Sequence, residues 1–265
     1  MSKKSERKER KVSSLMQLLD ELGVKLVPPR TLCIYGPSGI GKSLLASALA
    51  GELSIIFEAP VKIYGVEEHY ADPKYVELIT RIARSMGAKE IDIDYISGPG
   101  NYRPQKVIRR LLSIENPTII IIDSLSALSD SYSVSQLIQH GSITEISPIV
   151  ARTNPIVRIV SKHVVEVCSK TKSIGIFIAH ASGTAGRGKF RGLLDYRPSF
   201  ASRVLHNTWY TIYIDMVDEK DRLKRQAICV FNRLNNNFEG RRAVFNIADI
   251  IPSEVLQELR KIATE

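Results

Sequence analysis

Cysteine is scarce in this 265-residue chain: Cys33, Cys168 and Cys229 are the only three, and they lie far apart. None sits at metal-ligand or disulfide-framework spacing, and each falls in a segment that reads as core strand or helix. All three are therefore expected to be buried thiols rather than a metal site or a disulfide set. Also missing is any apolar run long enough to span a bilayer, and the N-terminus is charged rather than signal-like. These absences argue against a membrane protein and a secreted disulfide scaffold, and a cytoplasmic location is expected. No internal repeat or linker-like stretch divides the chain. With 44% hydrophobic and 25% charged residues, residues 13–265 read as one large α/β domain with a sizeable core.

Charge is the first positive signal. The net charge is +9, which favours a polyanionic partner. Nearly half of that surplus is local: within residues 1–11, Lys3, Lys4, Arg7, Lys8, Arg10 and Lys11 face only Glu6 and Glu9. Residues 1–12 are accordingly expected to form a basic, disordered tail.

The most informative stretch is Gly36-Pro37-Ser38-Gly39-Ile40-Gly41-Lys42-Ser43, which satisfies G-x-x-x-x-G-K-[ST] at every fixed position. Glycines let the backbone curl so that several N–H groups converge on anionic oxygens. Lys42 can reach β- and γ-phosphates, and the Ser43 hydroxyl can ligate Mg²⁺. The flanks agree, since residues 31–35 read as a buried strand and residues 43–50 as a helix aimed at the phosphate. ATP and Mg²⁺ are thus the expected ligands.

Along the rest of the chain, Ser13 or Ser14 can cap a helix carrying Leu15, Leu18, Leu19 and Leu22, closed by Gly23. Its leucine stripe fits packing on its own domain or joining a second subunit. Strands are expected at 61–66, 91–96, 118–123 and 174–179. Helices are expected around Val76–Met86, around Val107–Leu112, and from Asn154-Pro155 onward. Residues 129–145 are serine-rich and read as a loop. Residues 181–200 hold four glycines, four basic residues, Phe190 and Tyr196 without periodicity, and read as a long functional loop. Residues 209–216 and 225–231 pair plausibly as a hairpin, followed by a strand at 243–247 and a helix from Ser253. The pattern predicts a mainly parallel sheet flanked by helices, with antiparallel strands at the C-terminal end.

In such a sheet, ligands gather at the carboxyl ends of the strands. Asp123 ends the tetra-isoleucine strand and can hold Mg²⁺ opposite Ser43. Because Ser124 is not acidic, the base that activates water must come from elsewhere. Glu67, at the end of the second strand, is the candidate, and Glu68 is its competitor. His180, ending its own strand, can sense the γ-phosphate. Arg187, Lys189, Arg191 and Arg197, interleaved with Phe190 and Tyr196, suit phosphate contacts and base stacking, with single-stranded DNA favoured.

With these residues in place, the chain resembles the RecA/RadA recombinase superfamily, and more closely its archaeal RadA-like paralogues. The resemblance rests on Gly36–Ser43, Val66-Glu67, the run from Ile120 through Asp123 to Leu128, Ala179-His180, and Glu239–Ile247. It covers about residues 24–250. It implies a RecA-like P-loop ATPase fold, assembly into homo-oligomers, and DNA-facing loops at 129–145 and 181–200. Several positions depart from the family: His180 replaces a glutamine, the first loop has no Lys or Arg, Pro198-Ser199-Phe200 replaces glycines, and no F-x-x-A tetrapeptide precedes the core. The expectation is therefore a weak, DNA-stimulated ATPase that assists or modulates recombination and DNA repair, with a RadA-type recombinase as a candidate partner. The alternative is a KaiC-like nucleotide-switched adaptor acting through proteins.

Overall fold

The computed structural model of the chain describes residues 14–96, 102–129, 146–183, 196–198, 206–218, 221 and 223–262. Within them a single path of hydrogen-bonded strands runs β3-β2-β4-β5-β1-β7-β8-β9. The strands are β1 (Thr31–Gly36), β2 (Val61–Gly65), β3 (Ile91–Tyr95), β4 (Ile119–Asp123), β5 (Ile174–Gly183), β6 (Tyr196–Pro198), β7 (Tyr210–Met216), β8 (Lys224–Asn232) and β9 (Arg242–Asn246). From β3 to β7 every pairing on the path is parallel, and β7·β8 and β8·β9 are antiparallel. This is the mainly parallel sheet with a late antiparallel extension that the alternation of elements predicts.

The isoleucine run shows why the centre is apolar throughout. Ile119 and Ile121 join one core layer, whereas Ile120 and Ile122 join the other. Strand side chains alternate faces, so a strand covered on both sides must be hydrophobic at every position. The first layer lies under α1 (Leu15–Glu21), α2 (Lys42–Phe57) and α3 (Pro73–Ser85), and the second under α4 (Tyr102–Leu112) and α5 (Ile146–Thr171).

Helix α1 settles onto its own domain. Ser14 caps it, its hydroxyl accepting from Gln17 N, and Leu15, Leu18, Leu19 and Leu22 are buried. The Glu52 carboxylate on α2 accepts from the Leu15 and Met16 N–H groups, both at 3.0 Å, which satisfies two orphan donors of the first turn.

Two expectations need correction. The long helix does not begin at Asn154-Pro155: α5 starts at Ile146 and carries Pro155 inside it. An interior proline has a helical φ but removes one donor and crowds the carbonyl four residues back, and the buried row Val157, Val160, Val164 keeps the following turns docked on the sheet. Likewise His180 does not end its strand. β5 continues to Gly183 and pairs antiparallel with β6, Ala181↔Pro198, Ser182↔Arg197 and Gly183↔Tyr196. The two ends of the expected loop 181–200 thus form a short ladder, which Ala, Ser and Gly do not advertise by propensity. Residues 130–145 and 184–195 lie outside the described residues.

Candidate nucleotide site

The site follows from the strand register. Gly36, the last residue of β1, stands opposite His180 on β5, and Gly65, the last of β2, stands opposite Asp123 on β4. Since β2, β4, β5 and β1 are consecutive neighbours, Glu67, Asp123, His180 and the loop after Gly36 are delivered to one edge of the sheet.

That loop requires its glycines. A Cβ on Gly36 would stand 2.2 Å from the Ile214 carbonyl oxygen, inside backbone. Gly39 and Gly41 adopt φ of 73° and 92°, a region closed to most side-chain-bearing residues. Gly41 is the N-cap of α2, so the first N–H groups of that helix open toward the loop. Arg225 braces the loop from β8: its Nε donates to the Ile40 carbonyl at 3.1 Å.

Lys42 is buried, and its ammonium donates to the Gly36 and Pro37 carbonyls at 3.2 and 2.6 Å. Burial lowers its pKa, while the charges of Asp123 and Glu67 pull it the other way. Asp123 is wholly enclosed. Its Oδ2 accepts from the Tyr70 hydroxyl at 2.7 Å, whereas its Oδ1 is buried without a hydrogen-bond partner. Burial and then the Glu67 charge raise the Asp123 pKa, against the pull of Ser43, Tyr70 and His69.

Glu67 is gripped on both oxygens. Oε1 lies 3.0 Å from His180 Nε2, and Oε2 lies 3.4 Å from His69 Nδ1. Burial would raise its pKa, but hydrogen bonds from His180 and Ser124 and the charges of His180 and His69 outweigh it, bringing the carboxyl down to about 2. Glu68 is 74% exposed and turned away, engaged by Arg103 and, at 2.7 Å, by the Tyr95 hydroxyl. Of the two acids, only Glu67 faces the loop lysine and Asp123. His180 is also tied at its backbone, its N–H donating to Ser126 Oγ at 3.0 Å.

Reading the sequence missed the aromatic wall behind these groups. His69, Tyr70 and Tyr75 pack within 4.3–5.2 Å, ring centre to ring centre. Tyr70 fills the space above Gly65, where a Cβ would meet the ring at 2.3 Å. The available signal was a histidine and two tyrosines within eight residues of Glu67. Of the expected DNA contacts, Arg187, Lys189, Phe190 and Arg191 lie outside the described residues, and Arg197 is described only as backbone, opposite Ser182.

The described side chains fit a magnesium nucleotide: a glycine nest and a lysine suit the phosphates, and the Ser43 hydroxyl and an unpartnered buried Asp123 carboxylate oxygen are oxygen donors of the kind Mg²⁺ takes. Among the described residues no group of three or more histidine, cysteine, aspartate and glutamate side chains is placed to hold a metal ion by itself, and no helix is long and apolar enough to cross a membrane.

Comparison with known proteins places this geometry. The crystal structure of a RadB recombinase superimposes with a TM-score of 0.59 at 18% identity, covering 88% of this chain and 93% of that one. The fold is that of a RecA-like P-loop nucleotide-binding domain. A family model for the ATPase family associated with various cellular activities (AAA) matches residues 32–160, just under half of the chain. Relatives in sequence include the 26S proteasome regulatory subunit 4 homologs of Saccharomyces cerevisiae and Dictyostelium discoideum. Each is 26% identical, over 161 and 164 residues, or 60% and 62% of this chain. The chain spans only 36% and 37% of the length of those two proteins. The family model therefore covers the P-loop half, whereas the structural match covers 88% of the chain. Neither singles out the archaeal RadA-like paralogues.

Proposed function

We propose that this protein is a magnesium-dependent ATPase of slow turnover that binds DNA and assists or modulates homologous recombination and repair. The convergence of Lys42, Asp123 and Glu67 around the Gly36–Ser43 loop carries the nucleotide part. Lys42 swings from its own loop carbonyls to the β/γ-phosphates. Ser43 and Asp123 would hold Mg²⁺, which would supply positive charge to offset that of the phosphates. Glu67 orients the attacking water and accepts its proton. His180 acts as the sensor, its imidazole competing with the water for Glu67 Oε1. Its strand then runs into the β5–β6 ladder that carries the glycine-rich, basic loop.

With Ser124 following Asp123, the water-activating carboxylate comes from the neighbouring strand end. That separates this site from ATPases that place the acid directly after the metal aspartate, and it favours the recombinase-like reading over the AAA-like one. The DNA part is supported by the net positive charge, the Arg187, Lys189, Arg191 and Arg197 cluster with Phe190 and Tyr196, and the likeness to a recombinase in fold. Binding of this kind would also bring homo-oligomeric assembly and a RadA-type recombinase into play as partners.

Lys42→Ala is expected to lose ATP binding and turnover together. Glu67→Gln keeps ATP affinity and loses turnover by ~10²–10⁴-fold, as measured by equilibrium binding and phosphate release. Neutralising Arg187, Lys189 and Arg191 should weaken single-stranded DNA binding and flatten its salt dependence; unchanged affinity would remove the loop from the reading. The double grip on Glu67 also supports a second reading, a nucleotide-switched adaptor with negligible turnover. DNA that leaves the hydrolysis rate unchanged would favour that one.

A further inference from the structure

Asp123 is the least free side chain of the site, and Tyr70 is the reason. The phenol donates to Oδ2 at 2.7 Å, leaving Oδ1 as the unpartnered oxygen. Tyr70 itself has no room to turn. Its ring lies over Gly65, where even a methyl group would collide at 2.3 Å. Tyr75 meets it edge-on at 5.2 Å and 87°, and His69 packs against both rings, 5.0 Å from Tyr70 and 4.3 Å from Tyr75. Its backbone N–H is tied to the Glu67 carbonyl at 3.1 Å, within the 3₁₀ turn Glu68–Ala71. The donor is therefore fixed by packing before any ligand arrives. A carboxylate with one oxygen held by a fixed O–H presents the other in a set direction.

We infer that Tyr70 is a positioning residue for magnesium: by holding Asp123 Oδ2 it fixes which carboxylate oxygen faces the metal side of the site, on the side of Ser43. Tyr70 acts through Asp123 and touches neither nucleotide nor metal. Tyr75 supports it through the edge-on ring contact. Partners in the outer shell of a metal site set affinity by orienting the ligand, and removing one typically weakens the metal by ~10–100-fold. The inference rests on the reading of Ser43 and Asp123 as the magnesium-holding pair.

The test is Tyr70→Phe in the full chain, which keeps the ring over Gly65 and deletes only the donor. ATP affinity is measured by titration calorimetry in excess Mg²⁺ and in EDTA, with a thermal melt alongside. Wild type is expected to bind more tightly with Mg²⁺. Tyr70→Phe should lose about 10-fold of that magnesium-dependent gain while its EDTA affinity stays within about 2-fold, since the glycine nest and Lys42 are untouched. In an Asp123→Ala background the tyrosine substitution should have no further effect, because the two residues act as one unit. A merely structural tyrosine would instead shift both affinities together and add to Asp123→Ala. A magnesium gain equal to that of wild type in Tyr70→Phe overturns the inference and leaves the magnesium pair standing. No magnesium gain in wild type overturns both.

Discussion

Glu67 lies between two imidazoles on a sheet edge, and this arrangement has a consequence for acid stability. Its folded-state pKa is depressed to about 2, against a starting value of 4.5. A carboxylate depressed in the folded state contributes stability that is fully present above the unfolded value and disappears as pH falls through the folded one. Urea midpoints are therefore expected to drop between about pH 4.5 and pH 2 in wild type, and Glu67→Gln should flatten that drop. Equal slopes for the two proteins would show that the histidine contacts are not made in solution. The acid itself was legible in the sequence as a polar residue at a strand end. Its partners were not, because His180 is 113 residues away and only the adjacency of strands brings the two together. Tyr70 was hidden for the same reason: its hydroxyl meets Asp123 across 53 residues.

Among the elements, α1 shows how a stripe acquires a destination. Leucines at i, i+3, i+4 and i+7 announced an amphipathic helix whatever its partner. What fixes it to α2 is the Glu52 carboxylate at its N-terminus, accepting from two backbone N–H groups. Glu52→Ala removes a cap of a kind that contributes about 0.5–2 kcal/mol and should lower the denaturant midpoint by a corresponding amount. Glu52→Gln, retaining one acceptor, should fall between. Element ends were the least legible feature. Pro155 read as a helix start because proline suits the first turn, yet the helix continues N-terminally through it. The strand through His180 runs on because a partner, β6, returns to pair with it. Both outcomes depend on contacts made far along the chain, which no local preference encodes.

Across the whole molecule, the two-layer burial of the sheet isolates its thiols. Cys33, Cys168 and Cys229 are all fully buried, and burial pushes each thiol up to about 12. Thiolate, the reactive form, is then absent near neutral pH. Native protein is expected to resist an aromatic disulfide reagent, with three thiols per chain reacting once it is denatured. Rapid native labelling of any one would show that its layer opens locally.

The sequence by itself determined the glycine loop with its lysine and serine, the alternation that builds a parallel sheet, and the acids at two strand ends. Each of these is a local pattern whose chemistry follows from residue type and spacing. Only the tertiary structure decided that β2, β4, β5 and β1 lie side by side, so that Glu67 meets His180 and Asp123 meets Tyr70. Strand order and side-chain pairing are set by which faces can be buried together, a property of the whole packed chain rather than of any stretch within it.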